Sequence, residues 1–94
     1  MEFIGLVKEV SQPRVLQGNT GDVKIVDVLV DGGDVIMASA FDKVADMFTN
    51  ESIKVGSLAK LRITASVRDT RDGKRFQSLR IEAATMLFDP NKAF

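Results

Sequence analysis

Val35-Ile36-Met37-Ala38-Ser39-Ala40-Phe41 runs straight into Asp42-Lys43-Val44-Ala45-Asp46-Met47-Phe48, and the period of the apolar residues changes between the two halves. The first seven residues read as a strand. In the second seven, Val44, Met47 and Phe48 fall at i, i+3 and i+4 behind an Asp able to cap the first turn, which predicts one short helix. Working outward, the clearest strand follows the helix. Ala59, Leu61, Ile63, Ala65 and Val67 alternate with Lys60, Arg62, Thr64, Ser66 and Arg68, so one face is expected in the core and the other wet and basic. Asp72-Gly73 reverses the chain, and Phe76 to Ala84 returns with Leu79, Ile81 and Ala83 apolar and with Phe76, Ser78, Arg80 and Glu82 on the opposite face. On the other side of the quoted stretch, Asp31-Gly32-Gly33-Asp34 makes a hairpin with Val23 to Val30. That strand is apolar on both parities, as in a strand bent by a bulge or covered twice. Gly18 to Asp22 reads as a turn. The first strand, Phe3 to Val10, has Ile4, Leu6 and Val10 on one parity with Lys8 interrupting it, and ends at Ser11-Gln12-Pro13, where the proline implies an edge or a bend.

Ninety-four residues leave room for one domain with a single core. Hydrophobic residues are 45% and charged residues 28% of the chain, a balance that supports folding rather than disorder. The sequence contains no Cys and no His, which excludes disulfides, thiolate zinc sites and Ser-His-Asp chemistry. It has neither a basic start followed by an apolar run nor a stretch of about 18 apolar residues, so a cytoplasmic location without membrane contact is expected. Net charge is zero, yet the charge is segregated. Residues 1–59 hold five basic and nine acidic residues, whereas residues 60–80 hold seven basic and two acidic. A polyanion responds to that local field more than to the total.

Five strands with a helix between the third and fourth describe an all-β, five-stranded Greek-key barrel, the oligonucleotide/oligosaccharide-binding (OB) fold. The helix placement separates it from an SH3-like barrel. The domain is expected over residues 1–88, with 89–94 as a short C-terminal tail.

Phe41-Asp42-Lys43-Val44-Ala45-Asp46, followed by Val55-Gly56-Ser57 and the strand from Leu58 to Arg68, resembles the bacterial single-stranded DNA-binding proteins. In that family a Phe-Gly-Lys-Leu-Ala-Glu run precedes a Lys-Gly-Ser turn and a strand. The N-terminal half agrees in layout, and the resemblance spans roughly residues 3 to 87. It implies a protein that binds single-stranded DNA in replication, recombination or repair and assembles as a homo-dimer or homo-tetramer through a strand face. The family stacks bases mainly on tryptophans plus a phenylalanine. This chain has no Trp and no Tyr, so lower affinity per nucleotide is expected; Phe41 matches the phenylalanine, and Phe76 falls near an aromatic of the last hairpin. The family's long acidic tail, which recruits replication and repair proteins, is represented here only by Asp89 to Phe94. Replication proteins are the further partners so implied.

Single strands are held by a positive groove along the phosphates and by flat side chains that receive bases, each stack contributing about 1–3 kcal/mol. The candidates are Lys60, Arg62 and Arg68 on the polar parity of the fourth strand, Arg71, Lys74 and Arg75 in the hairpin, Phe76 and Arg80 on one face of the fifth strand, and Phe41. Adjacent antiparallel strands bring such side chains within reach, and Arg adds a cation–π term. The competing reading of the basic run is a merely solvated face, against which Phe76 argues, because a solvated face gains nothing from an aromatic. A strand-to-helix junction also suits Phe41 to a core role, and Phe3, Phe48 and Phe88 read as core or interface. No enzyme activity, cofactor or metal is expected: Asp31 with Asp34 and Asp69 with Asp72 flank turns as ordinary turn residues do, and no nucleophile has an evident base. Two other functions fit the same fold. Zero net charge and absent tryptophans suit a protein–protein adaptor, and nothing in the sequence distinguishes DNA from single-stranded RNA.

Overall fold

Among the described residues, six strands and one helix follow one another as β1 (Glu2–Val10), β2 (Arg14–Gly18), β3 (Gly21–Asp31), β4 (Val35–Phe41), α1 (Asp42–Thr49), β5 (Leu58–Asp69) and β6 (Arg75–Phe88). The structure is a computed structural model that describes residues 1–18, 21–50, 52–69, 72–73 and 75–89, with residues 68, 69, 75 and 76 described by their backbone only. β1 is the strand on which the rest closes. Its first half pairs with β5 (Glu2↔Arg62 to Leu6↔Leu58) and its second half with β3 (Leu6↔Asp31 to Val10↔Val28). β3 pairs with β4, β5 with β6, and a short parallel contact, Ser39↔Arg80 and Ala40↔Ile81, joins β4 to β6. Five strands therefore form a closed ring, the arrangement of the OB fold, with α1 between the third and fourth strands of the ring.

Inward residues fill the ring: Val7, Val26, Val28, Val30, Ala38, Ala40, Ala59, Leu61, Ile63 and Ile81 are buried. One end is closed by Ala45 and Phe48 of α1 together with Ile53. Helix α1 is tied to β3 by Lys24, whose Nζ donates to Asp46 Oδ1 and Thr49 Oγ1, both at 2.9 Å. Among the described residues, no helix is long and apolar enough to cross a membrane.

Four features differ from the sequence reading. β2 is an additional strand, paired with β3 alone (Arg14↔Ile25 to Gly18↔Gly21). Every residue of β2 is exposed, so no buried parity marked it. In β1 the buried parity is that of Gly5 and Val7, while Ile4 and Leu6 face outward. The bulge between Val7 and Glu9 then shifts the register at Lys8, the residue that interrupts the pattern. Asp42 does not cap the helix. Phe41 stands at the N-cap, and Asp42 enters the helix at a φ of 49°, with its Oδ1 accepting the Lys24 backbone N–H at 3.3 Å. Finally, the core face of β5 stops at Ile63, and Ala65 and Val67 are exposed, Val67 to 63%. Past that point β5 and β6 leave the ring as a projecting hairpin, and the molecule measures 53 × 30 × 19 Å. Of the expected tail, only Asp89 lies among the described residues.

Candidate nucleic-acid interface

The parallel contact between β4 and β6 sets the geometry of the candidate site. Ala40 and Ile81 are paired and buried, so their neighbours Ser39, Phe41 and Arg80 emerge on the outer surface of the ring. There the Arg80 guanidinium carbon lies 4.6 Å from the centroid of the Phe41 ring, a cation–π distance. Phe41 is half-buried, in register with buried Ile25 on β3. Arg80 also has Nε 3.6 Å from Glu82 Oε1, and its register partner on β5 is Thr64.

Beyond Arg80, β6 diverges from β4 and runs outward with β5. The wedge between the outer row of β3–β4 and the departing β6 is a groove of about 440 Å³, lined by Asp27, Met37, Ser39, Gln77, Ser78 and Leu79. Asp27 accepts from the Ser39 hydroxyl at 2.7 Å and pairs with Arg14 at 3.0 Å. The Ser66 and Ser78 hydroxyls, 3.0 Å apart, tie the two strands of the projecting hairpin together on its polar row.

The structure brings some of the sequence-predicted residues together and separates others. Phe41 and Arg80 are in contact. Arg62 is exposed on the same row of β5 as Thr64, two residues from the partner of Arg80. Farther out along the hairpin, Arg68 is in register with Phe76 and Asp69 with Arg75. Lys60 lies farther back on the same row of β5, with its Nζ 3.3 Å from Glu2 Oε2 on β1. Arg71 and Lys74 lie outside the described residues. Sequence reasoning missed the groove residues Asp27, Met37, Ser39 and Gln77, and Arg14 with them. The available signal was Asp27 itself, a lone carboxylate inside the apolar run Val23 to Val30, and such a residue is retained in a strand where its face is polar and partnered.

The described cations with ion pairs, Arg14, Lys24, Lys60 and Arg80, pair with Asp27, Asp46, Glu2 and Glu82. In each pair one side chain is more than half exposed. Such pairs contribute about 0–1 kcal/mol each, so a phosphate can displace the carboxylate at little cost.

No family model matches the sequence, and no curated protein matches it. Solved structures do match in shape. The mitochondrial single-stranded DNA-binding protein Rim1 of S. cerevisiae superimposes with a TM-score of 0.53 at 14% identity, over 93% of this chain and 92% of that one. The small single-stranded DNA-binding protein of Streptomyces coelicolor aligns with a TM-score of 0.49 at 15% identity, over 92% of this chain and 91% of that one. Ring closure, helix position and the likeness to Rim1 agree: this chain has the OB fold.

Proposed function

We propose that this protein binds single-stranded DNA with little dependence on sequence, through phosphate contacts from Arg62, Arg68, Arg71, Lys74, Arg75 and Arg80 and base stacking on Phe41 and Phe76, in replication, recombination or repair. Lys60 adds charge at the flank of this track. The observation that carries the reading is the Arg80 guanidinium carbon 4.6 Å from the Phe41 ring centroid, on a residue whose register partner Ser39 and chain neighbour Leu79 line the groove. A half-buried ring with a cation over it combines the flat surface that receives a base with the charge that meets a phosphate. The fold likeness to Rim1 supports it. On this reading the protein acts by binding rather than catalysis and works as a homo-dimer or homo-tetramer, with replication proteins as further partners.

The test is a titration of fluorescent oligo-dT at about 50 and about 200 mM salt. Saturable binding is expected at the lower salt. With about six phosphates neutralised, one for each of these cations, it should weaken by about 300-fold at the higher one. No saturable binding at low salt, or binding indifferent to salt, overturns the proposal. Competition by oligo-rU that exceeds competition by oligo-dT reassigns the protein to RNA.

A further inference from the structure

The floor of the groove beside Phe41 is one-sided in its hydrogen bonding. Ser39 gives its hydroxyl proton to Asp27 Oδ1 at 2.7 Å, so toward a ligand Ser39 offers lone pairs only. Ionised Asp27 likewise has acceptors only. It receives the Ser39 proton and the Arg14 Nη2 group, 3.3 Å from Oδ1 and 3.0 Å from Oδ2, and a carboxylate with about four lone-pair sites still has room for one more donor. The Asp27 side chain is 27% exposed, so a ligand can reach it.

Its position is also fixed. The Asp27 backbone N–H donates to Ser11 Oγ at 2.9 Å, and its carbonyl accepts the Ser11 N–H at 2.9 Å. The positive charge of Arg14 offsets the carboxylate, which allows an acid to stand beside a polyanion's path. Met37 and Leu79 give the groove apolar surface, and Gln77 brings an amide able to donate or accept. Apolar walls for the faces of a flat ring and an acceptor floor for one edge make up the chemistry of a nucleobase pocket.

We infer that this groove is a subsite for a nucleobase carrying an exocyclic amine, with Asp27 as the residue that reads it. The amine of cytosine, adenine or guanine donates to the carboxylate. Thymine and uracil have no such amine, and their ring N–H is flanked by two carbonyl oxygens that would meet the Asp27 and Ser39 acceptors. The inference rests on the proposed DNA binding and adds a base preference at one position of an otherwise sequence-tolerant track.

The test uses the full chain and three labelled oligonucleotides, oligo-dC, oligo-dU and oligo-dT, each about 16 nucleotides long, at one low salt concentration. Oligo-dU separates the missing amine from the thymine methyl. Oligo-dC is expected to bind about fivefold to tenfold tighter than either of the others. In Asp27→Asn, whose amide offers a donor, the three affinities should converge. Equal affinities for oligo-dC and oligo-dU in the unmodified protein overturn the inference, as does a preference that survives Asp27→Asn. Equal affinities in the unmodified protein overturn the inference whether or not that variant folds. If none of the three binds saturably, the DNA-binding reading itself falls, a result distinct from equal binding of all three.

Discussion

Arg80 is where the packing of the ring and the chemistry of its surface meet. Its neighbour Ile81 is buried against the core, which leaves Arg80 on the outside beside Ser39 and above Phe41. Charge and shape at this position can be separated experimentally. A guanidinium is planar and stacks on a ring or a base, whereas an ammonium is a compact, strongly hydrated point charge. Arg80→Lys should therefore weaken oligo-dT binding about threefold to fivefold through the lost planar contact, about 0.5–1 kcal/mol at an exposed site. The slope of affinity against salt should stay the same, because the positive charge remains. Unchanged affinity together with an unchanged slope would mean that Arg80 serves as a charge alone. At this same scale, Gly5 explains why β1 is inverted relative to the sequence reading. A Cβ at Gly5 would stand 2.7 Å from Val30 Cγ1 and 2.9 Å from the Asp31 carbonyl carbon, so the glycine occupies the crowded inner face and sends the larger Ile4 and Leu6 outward. Apolar parity alone ranks Ile4 and Leu6 as core; only the close approach of β3 shows otherwise.

Elements were legible in the sequence to the extent that one of their faces is buried. The helix α1, the strand β4 and the first half of β5 show their periods because Ala45, Phe48, Ala38, Ala40, Leu61 and Ile63 pack in the interior. β2 was not legible, since it is exposed throughout and gains its pairing from β3 rather than from a core. Val67 keeps the apolar parity of β5 but lies outside the ring, where the alternation no longer reports burial. The groove was illegible for a related reason: its walls come from β3, β4 and the departing β6, and no local pattern announces that β6 will diverge. The projecting β5–β6 hairpin belongs to the same argument. Arg68 and Phe76 are register partners on it, and Arg75 is paired with Asp69. If this hairpin grips phosphates, the double substitution Lys74→Glu with Arg75→Glu removes two contacts, and the slope of log affinity against log salt should flatten by about 1.4. The thermal midpoint should change little, since the hairpin lies beyond the buried face of β5. An unchanged slope would place the phosphate track elsewhere on the ring.

At the scale of the whole molecule, a closed ring removes the open edges through which sheets otherwise associate, and among the described residues open edges remain on β2, paired on one side by β3, and on the part of β5 and β6 that leaves the ring. For the proposed association of this chain with copies of itself, an outward-facing row offers a surface. On β1, Glu2, Ile4, Leu6 and Lys8 are all exposed, with Ile4 at 52% and Leu6 at 39%. The row has an acid at one end, a base at the other and two branched apolar residues between. A two-fold axis near Gly5 would set Ile4 and Leu6 of one copy against Leu6 and Ile4 of the other, with Glu2 facing Lys8, which is the self-complementarity an isologous interface requires. A chain of 94 residues buries a smaller share of its surface than a larger domain does, so it gains stability from covering such a row. Sedimentation at micromolar concentration should accordingly show a dimer or tetramer, and Ile4→Glu with Leu6→Glu should return the protein to a folded monomer, because both positions are exposed in the single chain. A monomer in the unmodified protein at that concentration contradicts self-association, and an assembly that persists in the double variant moves the interface away from β1.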